Sequence, residues 1–261
     1  MLRSLLFATC VSFSALAADP VPPDSQVIRP LTANAFPRVV NLLNWNIQKG
    51  EQGKDFTAEI AEYVKGRNLI TFQEGYDVPI VRDALAAVPG VSFNMAAAFL
   101  YKGFMTGVIT GSVSEPTRMG FRRSPDREPL LNSPKITGLS YFRVNETHEL
   151  LVANLHGINF VGPDKFKRQI DDVAEALASH QGPLILAGDF NTWNPARDAI
   201  VDEMARRLGL EEVTFPASKN KKAELDHVFV KGCRILKAWM PDAAKGSDHI
   251  PQFVDLSCGE N

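Results

Sequence analysis

Cysteine is scarce in this chain, internal repeats and low-complexity tracts are missing, and only one apolar run resembles an address or a membrane segment. Without a repeating period of a few tens of residues, solenoids and propellers drop out. No run approaches the roughly 20 apolar residues that cross a bilayer as a helix, so no transmembrane segment is expected. Charge of one sign is missing as well: 28 basic residues face 30 acidic ones. A protein that grips nucleic acid by neutralising many phosphates carries a basic face, so a tight or processive DNA binder is disfavoured, while a hydrolase is not. Several catalytic signatures also fail. Gly50 and Gly53 are too close together for a phosphate loop, and Asp55 stands where such a loop needs Ser or Thr. His148-Glu149 has no second His four residues after the first, which removes the zinc-protease helix. No Gly-x-Ser-x-Gly elbow exists to support a serine hydrolase.

What remains is 261 residues with 45% apolar and 22% charged content, the composition of one globular domain. Arg3, the apolar residues 5–17 and the small-residue pattern Ala15-Leu16-Ala17 predict a signal peptide over 1–17, hence export to the periplasm or the extracellular space. Cys10 lies inside that run and leaves with it. Cys233 and Cys258 are then the remaining cysteines, and an oxidising compartment predicts a disulfide between them, with two buried thiols as the alternative. Residues 18–37 hold Pro20, Pro22, Pro23, Pro30 and Pro37, a density that disfavours helix and central strand and predicts an extended leader. The folded domain is expected over 38–261.

Within it, short apolar runs end abruptly at polar residues. Residues 39–46, 69–72, 150–155, 183–187, 225–230, 234–239 and 252–256 read as strands, and several more are expected between 91 and 144. Helices are expected over 58–65, from Pro163 with Phe166, Ile170, Val173, Ala174 and Leu177 on one face, and over 195–208. Arg118, Arg122, Arg123 and Arg127 define a basic loop that is either solvated or faces a substrate. The class is α+β with much sheet.

Glu74, His156, Asp189 with Asn191, and Asp248-His249 each adjoin the end of an apolar strand, where a layered sheet protein can gather side chains over one mouth. Carboxylates bind a hard cation through oxygen, and that cation neutralises phosphoryl charge. A histidine can hydrogen-bond a non-bridging oxygen, and an Asp can position or deprotonate water. The residue types therefore suit hydrolysis of a phosphate ester.

The segments Asn44-Trp45-Asn46-Ile47, Phe72-Gln73-Glu74, Thr106-Gly107-Val108, Asn154-Leu155-His156, Gly188-Asp189-Phe190-Asn191, Leu225-Asp226-His227-Val228 and Gly246-Ser247-Asp248-His249-Ile250-Pro251 resemble the endonuclease/exonuclease/phosphatase superfamily typified by pancreatic deoxyribonuclease. They occur in that family's order, and residues 156–160 are most similar to exported bacterial members. The resemblance implies a four-layer α/β/β/α sandwich with two mainly antiparallel sheets. It implies that Glu74, Asn46 and Asp248 hold the metal, which is Mg or Mn, with Ca also suited to oxygen ligands. Asp189 then orients or deprotonates water, Asn191 holds phosphate, and His249, oriented by Asp226, hydrogen-bonds the scissile phosphate. His156 is the candidate general acid. Gln48 departs from members with an acidic ligand two residues after the Asn, which argues against a second metal of that kind. His227 is read as structural.

Three functions are consistent with this. The first is a nuclease acting on nucleic acid, with residues 118–127 and 219–222 on the backbone. The second is a sphingomyelinase-like lipid or small-molecule phosphodiesterase or phosphatase, with an apolar rim drawn from Phe99, Leu100, Tyr101, Phe104 and Met105. The third is a non-catalytic binding protein on the same fold. No stable protein partner is implied, and a monomer is expected.

Overall fold

A computed structural model describes residues 26–27, 36–146 and 148–259. The expected signal peptide and most of the leader, Cys10 included, lie outside the described residues. Among the described residues no helix is long and apolar enough to cross a membrane.

The strands in chain order are β1 (Gln26–Val27), β2 (Val39–Asn46), β3 (Leu69–Tyr76), β4 (Ser92–Tyr101), β5 (Phe104–Ser112), β6 (Arg118–Arg123), β7 (Ile136–Arg143), β8 (Glu149–His156), β9 (Leu184–Asp189), β10 (Glu211–Glu212), β11 (Asp226–Lys231), β12 (Cys233–Trp239) and β13 (Gln252–Cys258). The helices are α1 (Lys54–Tyr63), α2 (Pro79–Ala86), α3 (Pro163–Ala178) and α4 (Pro195–Leu208). One sheet runs β1-β4-β5-β3-β2-β13-β12 and the other β10-β11-β9-β8-β7-β6. Among the described strands only β2 with β3 and β8 with β9 pair in parallel, and the other pairs are antiparallel. The leader contributes Gln26–Val27 as a two-residue edge strand on β4, a place that its prolines permit.

Both faces of each sheet are covered, so the central strands read as unbroken apolar runs rather than alternating ones. On β2, Leu43 and Trp45 point outward into a core with Phe56 and Ile60 of α1 and Val81 and Leu85 of α2. Val40 and Leu42, one residue out of phase, point inward and meet Leu150, Val152, Ile185 and Val228 of the second sheet. Leu151, Ala153 and Leu155 face out of that sheet against Phe166, Ile170 and Val173 of α3 and Val201 and Met204 of α4. The result is the four-layer α/β/β/α sandwich.

The layer between the sheets is not wholly apolar. Asn44, Thr71, Gln73, Asn154 and Gln252 are buried there. Asn154 of β8 donates to the carbonyls of Phe72 (3.2 Å) and Ile109 (3.0 Å) and accepts from Gln73 Nε2 (2.7 Å). Gln73 also donates to Asn44, which in turn donates to Gln252. This ladder ties the two sheets together just behind the strand ends that carry the site.

Three local features differ from the sequence reading. Arg118–Arg123 is edge strand β6 rather than loop, paired with β7 alone. Arg118 and Arg122 are exposed on this edge, where charge deters pairing with another chain, while Arg123 turns inward and donates to the Ala97 carbonyl. Helix α1 begins at Lys54, four residues earlier than expected, and helix α2 is additional; its Val81 and Leu85 form too short a stripe to register as periodic. The Cys233–Cys258 disulfide is formed, joining directly opposed residues of β12 and β13.

Candidate active site

All eight expected site residues lie at one end of the sandwich or in loops attached to it. Asn46, His156 and Asp189 are the last residues of β2, β8 and β9, and Asp226 is the first of β11. Asp226 and Asp189 are direct neighbours across the β9–β11 ladder, as are His156 and Asp189 across β8–β9. Gly188 is required here: a Cβ at that position would sit 1.9 Å from the Leu155 carbonyl oxygen, so only glycine lets the strands close beneath Asp189.

Asp189 is the hub. Its Oδ2 accepts from Asn46 Nδ2 at 2.8 Å, and its Oδ1 accepts from the backbone N–H of Asn191 at 2.9 Å. His156 Nε2 lies 3.7 Å and His249 Nε2 3.9 Å from Asp189 Oδ2. On its other ring nitrogen, Nδ1, His249 meets Asp226 Oδ2 at 2.8 Å. The loop of His249 is anchored to β2: Ser247 Oγ donates to the Asn46 carbonyl, and Trp45 Nε1 donates to the His249 carbonyl.

Burial and the neighbouring charge of Asp226 push the Asp189 carboxyl up to about 6. Burial works against a charge on His249, but Asp226, Asp189 and Asp248 outweigh it and raise the imidazole to about 9, so it is a cation at neutral pH. His156 goes the other way: burial first, then the ammonium of Lys135, hold it well below its ordinary value, and it is neutral. Glu74 is likewise disfavoured by burial, yet the ammonium groups of Lys49 and Lys135 and the hydrogen bond from Lys49 hold it well below the usual carboxylate range.

Glu74 sits where β3 bulges against β5, with φ of 52°. A non-glycine residue rarely adopts that conformation, and bulges near sites commonly re-aim a side chain. Its carboxylate is ion-paired with Lys49, and that of Asp248 with Lys222. Neither belongs to the group Asp189, Asp226 and His249, whose ligand atoms all lie within 4.8 Å of one another. Asn191, also left-handed with φ of 55°, accepts from Asn159 Nδ2 at 2.7 Å and donates to the Gly157 carbonyl. His227 bridges Thr192 and Glu212 and stacks on Phe229, outside the cluster.

Four residues that the sequence reading left without a role bear on the site. Lys49 pairs with Glu74. Asn159 holds Asn191. Arg197 is fully buried and donates to the carbonyls of Ile158, Asn191 and Val161, fastening both loops. Trp193, two residues after Asn191, is 54% exposed. Only Asn159 and Trp193 had a signal, their closeness to His156 and Asn191. The expected rim at residues 99–105 is present only in part: Phe99 is buried and Phe104 exposed, while the exposed Leu131 and Phe160 line the mouth with Glu74 and His156.

A buried aspartate flanked by a cationic and a neutral imidazole, with an ionised glutamate at the edge, is a set of groups chemically suited to hydrolysing phosphoric esters. Residues 43–249 match the Endonuclease/Exonuclease/phosphatase family, and the chain belongs to that family of phosphoric ester hydrolases. Three solved structures share the fold. An endonuclease/exonuclease/phosphatase from Beutenbergia cavernae aligns with TM-score 0.68 and 16% identity, covering 85% of this chain and 72% of that one. D. rerio TDP2 complexed with single strand DNA product aligns with TM-score 0.63 and 12% identity, covering 84% and 98%. Sphingomyelinase C from Streptomyces griseocarneus aligns with TM-score 0.60 and 16% identity, covering 83% and 99%.

Proposed function

We propose that this chain is an exported, divalent-metal-dependent nuclease, hydrolysing phosphodiester bonds of nucleic acid at the Asp189–His249 cluster. The observation that carries this is Asp189 itself: a carboxylate raised to about 6, tethered by Asn46 and Asn191 and set between two imidazoles of opposite protonation state. A carboxylate whose pKa lies close to the working pH is suited to take a proton from water. His249, held protonated by Asp226, presents Nε2–H to a phosphoryl oxygen. His156, neutral, suits hydrogen bonding to phosphate rather than the proton donation expected of it. Asn191 offers its amide to the same phosphate.

The donor set fits the cation on which the family depends. A protonated His249 cannot ligate a metal, which leaves Asp189, Asp226 and His249 to proton transfer. Glu74, fully ionised and already attracting an ammonium, would hold Mg or Mn, with Asn46 and Asp248 as its companions. Bound there, the cation supplies neutralisation of phosphoryl charge. Export is supported by the Cys233–Cys258 disulfide, since such bonds persist in oxidising compartments.

A lipid or small-molecule phosphodiesterase is the second reading, favoured by the exposure of Leu131 (45%) and Phe160 (64%), which line the mouth with Glu74 and His156. Incubation of the purified chain with plasmid DNA, RNA, sphingomyelin and bis-p-nitrophenyl phosphate separates the two. Cleavage of nucleic acid in Mg or Mn supports the nuclease; cleavage of sphingomyelin alone sinks it and leaves the hydrolase.

A further inference from the structure

Asn159 binds three things at once. Its Nδ2 donates to Asn191 Oδ1 at 2.7 Å, and its Oδ1 accepts from the Phe160 backbone N–H at 2.8 Å and from Trp193 Nε1 at 3.0 Å. Its own backbone N–H is held by Glu128 Oε1 at 2.8 Å. The Trp193 indole is thereby oriented beside the amide expected to hold phosphate, and the backbone of Phe160 is anchored next to it. The Trp193 ring has the guanidinium of the buried Arg197 5.0 Å from its centroid, yet the residue is 54% exposed, so its opposite face is open. Phe160 is 64% exposed, has a backbone φ of 56°, and lines the same pocket as Glu74 and His156. A bulky residue in the left-handed region is a strained outlier that persists only when its surroundings impose it. Here that strain keeps an apolar ring in water at the mouth of the site.

Resting on the nuclease reading above, we infer that Trp193 and Phe160 form a stacking platform for an unpaired nucleobase next to the scissile phosphate, and that the enzyme therefore selects single-stranded nucleic acid. A base within a duplex has both faces covered by its neighbours, so it cannot lie on Trp193 without leaving the stack. An unpaired base can. Stacking tolerates any base, because each presents a π-face.

The test compares three oligonucleotides of equal length in Mg: a single strand, its duplex, and a single strand with an abasic site at the position flanking the cleaved bond. Sphingomyelin vesicles and bis-p-nitrophenyl phosphate run beside them. The single strand is expected to exceed both the duplex and the abasic strand by about 5- to 150-fold in kcat/KM, the range that base stacking supplies. In Trp193→Ala the ratio of base-bearing to abasic cleavage collapses toward one, and in Trp193→Phe, which keeps a ring face, it is largely restored. An unchanged ratio in Trp193→Ala, or a duplex cut as readily as the single strand, overturns the platform and leaves the nuclease intact. Hydrolysis of vesicles or the small ester with no cleavage of any oligonucleotide overturns both.

Discussion

Replacing Asn154 with Leu probes how the two sheets are held in register under the site. The side chains are of similar volume, so the change removes polar contacts without opening a large cavity. Lost are the donations to the Phe72 and Ile109 carbonyls and the acceptance from Gln73. Phe72 and Ile109 face one another immediately before the bulge that interrupts the β3–β5 register, so Asn154 serves acceptors where the ladder is weakest. At about 1 kcal/mol for each of the three bonds, the loss is about 3 kcal/mol, more if the carbonyls find no water. Urea denaturation followed by circular dichroism measures it. The same ladder sets Glu74, one residue after Gln73, against His156, two residues after Asn154. A displacement of about 1 Å there costs on the order of 100-fold in rate, so kcat on bis-p-nitrophenyl phosphate is expected to fall even where the variant is fully folded. A stability loss under about 1 kcal/mol together with an unchanged kcat refutes the reasoning.

Further outcomes follow from the same geometry. The pH profile of kcat/KM should be bell-shaped: activity falls as pH drops through about 6, where Asp189 takes up the proton that disables it as a base, and falls again as pH rises through about 9, where His249 loses its own. Asp189→Asn should leave no limb near 6, and a flat profile between pH 5 and 10 contradicts the assignment. The double variant Cys233→Ser with Cys258→Ser reopens a link across a sequence separation of 25 residues, which the chain-entropy relation places at about 3.5 kcal/mol of stability; equal urea midpoints for variant and parent argue against it. Arg197→Met leaves three loop carbonyls without their donor. It should cost at least about 3 kcal/mol and raise KM by loosening Asn191, whereas an unchanged KM separates Arg197 from the site.

The strands that carry the site were legible because apolar runs stop at Asn46, Glu74, His156 and Asp189, and buried strands leave that mark in any layered fold. Which residues meet was carried by the family resemblance, since nothing local pairs Asp226 with His249. The polar ladder was not legible: Asn44, Gln73 and Asn154 sat in view within the matching segments, but their role depends on facing one another across the interior. Lys49, Asn159 and Arg197 escaped for a related reason, because each acts on a carboxylate, an amide or a carbonyl brought close only by folding. The arginines at 118–123 were misread because an edge strand is as solvated as a loop, and charge alone does not distinguish the two. Glu74 was read as lying just beyond a strand that ends at Phe72, yet β3 runs on to Tyr76 and passes through Glu74 as a bulge, a conformation that side-chain polarity does not announce.

The most direct test of the account is hydrolysis of bis-p-nitrophenyl phosphate by the purified chain in Mg or Mn, with and without EDTA, beside Asp189→Asn and His249→Ala. The account predicts turnover that vanishes with EDTA and falls by about 100- to 10,000-fold in each variant, the span of a lost general base or phosphoryl donor. Turnover that persists in EDTA, or survives both substitutions, contradicts it.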